Sequence, residues 1–178
     1  IQIPGTTWGS NCSAGNVQSG CVKTDGTLWM WGINTQGEIG NNSTSVNNYS
    51  SPIQVPGTTW SDIVQGAGDK ISFGLKTDGT IWAWGQNTYG QVGQNSTNNG
   101  YSSPVQVGSG TDWAAVREDV LGMYARKTDG TFWVWGHNNF GQLGQNNRTD
   151  YSSPVQIPGT WLGQPGGGNK VAMMYKNA

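Results

Sequence analysis

The sequence predicts an all-β protein of the β-propeller class, built from four-stranded blades. Three observations lead to this prediction. A unit of about 50 residues recurs along the chain, each copy contains an Asp-Gly hairpin signal, and the strand after that signal is apolar on both faces. A repeat of this length is in the range of propeller blades. No stretch shows helical periodicity over a dozen residues, which leaves strands as the building elements.

The repeated unit begins with the pattern Lys-Thr-Asp-Gly-Thr-x-Trp-x-Trp-Gly, continues with Asn-x-x-Gly, and reaches Tyr-Ser-Ser-Pro after a polar stretch. The first pattern occurs at 23–32, 76–85 and 127–136. A further Trp recurs in register at Trp8, Trp60, Trp113 and Trp161. We therefore expect one repeat domain over 1–178, with units at approximately 8–59, 60–112 and 113–160 and part of a fourth at 161–178.

Each part of the pattern has a physical role. Asp-Gly between β-prone residues favours a tight hairpin, because Gly accepts the positive φ that the reversal requires. In the next strand a period of two places both Trp on one face, while Leu28 and Met30 lie on the other face of the first copy. Such a strand must be buried on both sides, as an inner propeller strand is between neighbouring blades. A two-sheet sandwich would leave one side polar.

The composition excludes several classes of partner. Charged residues make up 11% of the chain and the formal net charge is −1, against a usual charged share of about 25%. Nucleic acid and anionic lipid are both bound through clustered Lys and Arg, so neither is an expected partner. No run of about 18 apolar residues exists, so we expect no membrane insertion. Ten Trp residues indicate a folded domain with a buried core.

The two cysteines, Cys12 and Cys21, lie nine positions apart. With His137 as the single histidine they cannot complete a tetrahedral zinc site. The residues favour two buried structural thiols. A disulfide across one hairpin is the alternative, and it would indicate an oxidising compartment. Redox catalysis is the least favoured, because the Cys-x-x-Cys spacing and nearby cations are missing.

The inventory of side chains argues against an enzyme. His137 lies in a loop where the other copies have Ile33 and Gln86, so we expect a surface loop residue rather than a general base. The hairpin carboxylates recur identically in every copy and are expected to be turn residues: Asp25, Asp78 and Asp129. No nucleophile elbow, zinc-protease helix or phosphate loop is present. We therefore predict no catalytic residue, no metal site and no cofactor.

The alternating Trp strand, Trp-Gly-x-Asn, Gly-Gln-x-Gly and Ser-Pro together resemble the regulator-of-chromosome-condensation repeat, also known from alpha-tubulin-suppressor-like bacterial proteins. The resemblance covers nearly the whole chain and implies a seven-bladed propeller of four-stranded blades. Ile1 through Trp8 match Ile53 through Trp60, so the chain starts within a unit. We expect an incomplete ring that is a segment of a longer chain or is completed by another subunit. The resemblance also implies guanine-nucleotide exchange for some relatives, but no specialised wedge is recognisable in these loops.

These observations favour a non-enzymatic structural or protein-interaction module within a larger assembly. The candidate contact residues are the variable positions of the Asn-x-x-Gly loops and the histidine beside them: Gln36, Tyr89, Phe140 and His137. Exposed aromatic rings contact proteins or sugars, so a glycan-binding, lectin-like propeller is the alternative. The competing structural interpretation is that Tyr89 and Phe140 pack under the next blade.

The expected location follows from composition alone. Loops rich in Asn, Ser and Thr, together with scarce charge, favour an extracellular or virion surface component such as a phage tail or fibre protein. A cytoplasmic location stays open.

Overall fold

The computed structural model of the protein describes residues 3, 5–43, 47–66, 70–119, 122–159, 161–166 and 173–176. These residues form fourteen β-strands joined by turns and loops. No helix able to cross a lipid bilayer occurs in this part of the chain. The all-β prediction is confirmed.

The strands assemble into three four-stranded antiparallel sheets and one two-stranded sheet, each formed by consecutive strands. Blade 1 contains β1 (Trp8–Ala14), β2 (Gln18–Lys23), β3 (Leu28–Gly32) and β4 (Tyr49–Val55). Blade 2 contains β5 (Trp60–Gln65), β6 (Ile71–Lys76), β7 (Ile81–Gly85) and β8 (Tyr101–Gln106). Blade 3 contains β9 (Trp113–Asp119), β10 (Gly122–Lys127), β11 (Phe132–Gly136) and β12 (Tyr151–Ile157). The last pair is β13 (Trp161–Gly166) and β14 (Met173–Lys176).

The third strand of blades 2 and 3 is buried on both sides, as the sequence predicts, whereas in blade 1 both Trp side chains of β3 are only partly buried. In blade 2, Ile81 and Ala83 are fully buried on one face and Trp84 on the other. The Trp face packs on the core of blade 1, while the opposite face joins a core cluster that contains Trp135 of blade 3. Blade 2 therefore lies between two neighbours, which is the packing of a propeller.

One hydrogen bond is repeated between successive blades. The Trp84 indole N–H donates to the carbonyl of Glu38 in blade 1, at 2.9 Å. In the same way Trp135 donates to the carbonyl of Gln91 in blade 2, at 2.7 Å. Burial of one such Trp removes about 150–250 Å² from water, or about 4–6 kcal/mol before entropy is subtracted. The second Trp of the motif therefore anchors each blade to the loop of the blade before it.

The outer strand of each blade is protected against pairing with another chain. In β8 the proline ring of Pro104 removes one backbone donor, and the carbonyl of Ser102 accepts from the backbone N–H of Asn42 at 2.8 Å. The carbonyl of Gln106 accepts from the side-chain amide of Gln94. Edge strands with free backbone groups promote aggregation, so these contacts make the rim of the blade a closed surface.

The two cysteines form a disulfide, the second of the two alternatives that the sequence leaves open. Cys12 of β1 lies directly opposite Cys21 of β2 in the antiparallel register. The expectation of two buried thiols is wrong, because Cys12 is exposed and only Cys21 is buried. Strand β1 is an edge strand of its sheet and most of its residues are exposed or partly exposed, so the bond reaches the surface.

Candidate functional site

The candidate site lies on the loops that join the third and fourth strands of each blade. The three loops contain residues 34–40, 87–93 and 138–144, and together they are called the loop face here. All three leave equivalent strands at the same point of the repeat, so they lie at the same end of the blades. The loop face is therefore a surface on which each blade presents one equivalent segment.

A buried Asn fixes each loop. The side-chain oxygen of Asn87 accepts from the backbone N–H of Val92 at 2.9 Å, and Asn138 does the same for Leu143 at 3.0 Å. Asn34 repeats the bond in blade 1. These side chains are at most 1% exposed. Because Asn closes the loop from inside, the first Asn of Asn-x-x-Gly is a structural residue.

A second brace holds the variable position of each loop. The Gln91 side-chain oxygen accepts from the backbone N–H of Tyr89 at 2.8 Å, and Gln142 accepts from Phe140 at 3.0 Å. In blade 1 the carboxylate of Glu38 accepts from Gln36 in the same way, at 2.7 Å. The backbone that carries each candidate contact residue is therefore held by its own loop before any partner binds.

The structure brings three of the four candidate residues together across two blades. The rings of Tyr89 and His137 lie 4.4 Å apart between centroids, and those of His137 and Phe140 lie 6.1 Å apart at 89°. These three residues are called the aromatic cluster here. Gln36 belongs to the loop of blade 1 and lies outside the aromatic cluster, beside a cavity of about 240 Å³ that Asn99 and Gly100 also line.

The expectation that His137 is a surface residue is wrong. His137 is only 7% exposed, because the rings of Tyr89 and Phe140 cover it. Its Nδ1 lies 3.4 Å from the amide nitrogen of Gln142, and its Nε2 has no hydrogen-bond partner within the described residues. His137 is therefore a polar side chain that lies beneath the aromatic rings of the loop face.

The two aromatic positions differ in exposure. Tyr89 is half-buried against the histidine of the next blade, as the structural interpretation predicts. Phe140 does not pack under a neighbour among the described residues, since 81% of its surface is exposed. Exposed large apolar side chains on a fixed backbone are typical of binding surfaces. Phe140 is therefore the strongest candidate contact residue of the loop face.

The opposite end of each blade carries the Asp-Gly hairpins. The Asp78 carboxylate accepts from the hydroxyl and the backbone N–H of Thr80, and the Thr80 hydroxyl accepts from the indole of Trp82 at 2.8 Å. These bonds hold the pKa of Asp78 below its ordinary value, chiefly through the Thr80 hydroxyl. The same chain of bonds recurs in the other two blades. The aspartates are turn residues in each described hairpin.

Sequence reasoning missed the role of the motif lysine. The ammonium of Lys76 lies over the rings of Trp60 and Trp82, 4.8 and 4.1 Å from their centroids. Lys23 and Lys127 lie equally over the Trp pairs of their own blades. Recurrence of Lys two residues before Asp, with Trp at fixed spacing after it, was the available signal. Across the described ranges no group of three His, Cys, Asp or Glu side chains could hold a metal ion.

Comparison with protein families identifies the repeat. The profile of the regulator of chromosome condensation (RCC1) repeat matches residues 25–73 and 129–165, and a second profile of the same repeat matches residues 66–91. The matches together extend over more than half of the 178 residues.

Known proteins with similar sequences are much longer than this chain. Human E3 ubiquitin-protein ligase HERC2 is 27% identical over 150 residues, which are 83% of this chain and 3% of HERC2. Human protein RCC2 is 28% identical over 140 residues, which are 76% of this chain and 26% of RCC2. The chain thus spans about a quarter of RCC2 and a far smaller part of HERC2.

Two solved structures share the fold. Prp20p from Saccharomyces cerevisiae superposes with a TM-score of 0.80 at 17% identity, over 94% of this chain and 44% of Prp20p. Human WBSCR16 superposes with a TM-score of 0.75 at 19% identity, over 92% of this chain and 43% of WBSCR16. The predicted propeller class is confirmed by these superpositions.

Proposed function

We propose that this chain, which belongs to the regulator of chromosome condensation repeat family, is a non-enzymatic protein-interaction module that contacts its partner through the aromatic cluster. The observation that carries the proposal is the 81% exposure of Phe140 on a loop held by Gln142 and Asn138. A rigid backbone presents this ring to a partner without ordering the loop first. Little conformational entropy is therefore lost on binding.

The exposed ring of Phe140 offers a large apolar area to a partner. Covering most of the exposed Phe140 ring would remove about 150 Å² of apolar surface from water, which is about 4 kcal/mol before the costs of association. The half-buried ring of Tyr89 extends the aromatic surface to blade 2, over the buried imidazole of His137. An exposed aromatic anchor with a second ring nearby has the composition of an interaction hot spot.

Related structures support an interaction role in general terms. Prp20p, the yeast RCC1, binds Gsp1p and histones and forms a complex with Kap60. Those partners belong to Prp20p. For this chain we propose only the kind of contact, a protein surface that accepts an aromatic anchor.

An extracellular or virion-surface location is part of the proposal. The Cys12–Cys21 disulfide supports it, because disulfides persist in oxidising compartments and are rare in the reducing cytosol.

The experiment compares capture of partners by the wild-type chain and by Phe140→Ser. Immobilised proteins are incubated with extract, captured proteins are identified by mass spectrometry, and their Kd is measured. We expect at least one protein whose affinity falls roughly 30-fold in Phe140→Ser, as for a hot-spot residue. Thermal stability should be unchanged, because the ring packs on few neighbours.

Val17→Ser is the matched control, because Val17 is also an exposed apolar residue, at 36%, in the turn between β1 and β2. It should retain the captured protein. Capture of the same proteins with equal affinity by Phe140→Ser would contradict the proposal. So would Phe140-dependent binding to a glycan array without any Phe140-dependent protein.

A further inference from the structure

A groove of about 380 Å³ lies between blades 1 and 2, at the end that carries the hairpins. Its walls include Pro56 and Gly57, which link the two blades, and Pro104 of β8. Lys76 and the ring of Trp82 line it from blade 2. We call this feature the rim groove. It is distinct from the aromatic cluster, since the hairpins and the loop face are at opposite ends of the strands.

Two hydrogen-bond donors converge on one point of the rim groove. A position one bond from the Cα of Gly57, where a side chain would begin, is 3.7 Å from Nε1 of Trp60 and 3.8 Å from Nζ of Lys76. Trp60 is 2% exposed, and its Nε1 has no hydrogen-bond partner within the described residues. Lys76 forms no ion pair with them either. An ammonium and a buried indole N–H thus face the same space, and both lack an acceptor there.

Blade 3 shows what the lysine of this pair binds when a carboxylate is available, while the Nε1 of Trp113 has no hydrogen-bond partner among the described residues. There the Asp112 carboxylate lies 3.1 Å from Nζ of Lys127. The position one bond from the Cα of Gly110 is 3.2 Å from the same Asp112 oxygen and 2.9 Å from Nε1 of Trp113. Blade 3 therefore places its own carboxylate next to the Trp–Lys pair. In blade 2 the residue before the Trp is Thr59, which has no carboxylate.

The hairpin aspartate does not replace that carboxylate. The charge of Lys76 contributes to the lowered pKa of Asp78, but the Oδ1 of Asp78 accepts from the Thr80 hydroxyl and no ion pair joins Asp78 to Lys76. The same aspartate is present in blade 3, where Lys127 still pairs with Asp112. The difference between the two blades is therefore the missing carboxylate beside the Trp–Lys pair.

We propose that the rim groove binds a carboxylate, supplied by an Asp or Glu side chain of a partner protein. A protein side chain suits the walls better than a sugar acid does. Lys76 already covers the faces of Trp60 and Trp82, so no indole face is free to stack on a sugar ring. The hydroxyl hydrogen of Ser103 is already donated to the side-chain oxygen of Asn42 at 2.8 Å. The identity of the occupant rests on the proposed interaction function.

The test is an NMR titration with small probes, followed on the indole N–H signals of Trp60 and Trp82. The probes are the capped peptide acetyl-Ala-Glu-Ala-amide, its Gln analogue, and glucuronate. We expect saturable shifts of both signals with the Glu peptide and none with the Gln peptide. Equal shifts with the Gln peptide, or no shifts with the Glu peptide, would overturn the proposal. Tighter binding of glucuronate than of the Glu peptide would overturn the assignment to a protein side chain.

Two variants locate the binding. Lys76→Met keeps the apolar stem over the Trp rings, and we expect it to weaken the Glu peptide roughly tenfold, as the loss of a charge-assisted hydrogen bond does. Thr59→Asp places a carboxylate on the residue before Trp60 and should also weaken the peptide; Asp tolerates the positive φ of Thr59 at 68°. Lys127→Met is the matched control and should leave peptide affinity unchanged.

Wild-type affinity in both Lys76→Met and Thr59→Asp, with unchanged melting temperature, would refute the rim groove as the site. These results are separate from the proposed function. Loss of the titration with Phe140-dependent capture intact refutes only the groove, and the opposite result refutes only the aromatic cluster.

Discussion

Substitution of Gly90 by alanine tests whether the loop face holds the blades together. Gly90 has a φ of +77°, and a Cβ atom there would lie 2.5 Å from the Cα of Ser152 in β12. Real Cβ atoms do not approach other atoms closer than 3.0 Å, so blade 3 must move away by about 1 Å to restore ordinary contact. The contact is with backbone, so rotation of a side chain cannot relieve it.

The movement would break contacts that join the two blades. The backbone N–H of Asn95 donates to the carbonyl of Ser152 at 2.7 Å, and Trp135 donates to the carbonyl of Gln91 at 2.7 Å. An opening of about 1 Å takes both bonds beyond bonding distance, at about 1 kcal/mol each. The left-handed backbone adds about 1–2 kcal/mol for any residue with a Cβ. We expect Gly90→Ala to lower the free energy of unfolding by about 3–4 kcal/mol.

Gly141→Ala is the matched control, because it shares the backbone strain without the clash. Gly141 occupies the equivalent position with a φ of +74°, and its nearest described neighbour is the carbonyl of Asn147 at 3.8 Å. We expect a loss of only about 1–2 kcal/mol. In thermal unfolding followed by Trp fluorescence, Gly90→Ala should melt roughly 4–8 °C below Gly141→Ala. Equal melting temperatures would refute the argument that this loop packs on the outer strand of the next blade.

The hairpin carboxylates predict a loss of stability in acid. Hydrogen bonds lower the pKa of all three aspartates. The chief donor is the Thr27 hydroxyl for Asp25, the Thr80 hydroxyl for Asp78 and the Thr131 backbone N–H for Asp129. A pKa that is lower in the folded state stabilises the fold above the unfolded pKa of about 4, and this stability is lost as pH falls through the folded value. The urea midpoint should therefore drop between roughly pH 5 and pH 2, and should drop less steeply in Asp78→Asn. An identical slope in that variant would contradict the assignment. For the disulfide, the unfolded, unreduced chain should contain no free thiol, and Cys12→Ser with Cys21→Ser should lower the free energy of unfolding by about 2–3 kcal/mol; two titratable thiols would exclude the bond.

The sequence was sufficient for the fold because the repeat encodes its main contacts within a few residues. The Asp-Gly turn, the bond from Trp82 to Thr80 and the alternation of Ile81 with Trp82 are all local, so their pattern is visible along the chain. An inner strand that is apolar on both sides must then be covered on both sides by other strands. Repetition turns that local argument into an argument for successive blades.

The burial of His137 and the disulfide were missed because the first depends on a contact between blades and the second on strand register. His137 was expected at the surface because its position varies among copies, but Tyr89 of the preceding blade covers it. Pairing of Tyr89 with His137 links residues 48 positions apart, and the pattern within one copy carries no information about it. The same holds for the disulfide, since the register of β1 against β2, which places Cys12 opposite Cys21, includes a bulge.

Variation among the copies is not by itself a sign of function. Glu38 stands where the other copies have Gln91 and Gln142, and it is completely buried. Its carboxylate nevertheless accepts the same backbone N–H that the two glutamines accept. An oxygen is all that the loop needs at this position, so the change of charge leaves the structural role unchanged.

A difference between copies indicates function where it leaves a conserved side chain of the repeat without the partner that it has in another blade. Asp112 neutralises Lys127, whereas Thr59 leaves Lys76 with its charge over two indole rings and no ion pair among the described residues. The lysine is kept for its packing on the Trp pair, which every described blade requires. An ammonium that the fold holds in place but does not neutralise is available to a partner. The fold has already ordered the lysine side chain, so binding need not order it again. On this argument an external carboxylate should bind a blade that lacks the carboxylate of blade 3. Blade 2 is such a blade, and blade 1 shares the feature, because Thr7 precedes Trp8 and Lys23 forms no ion pair with the described residues.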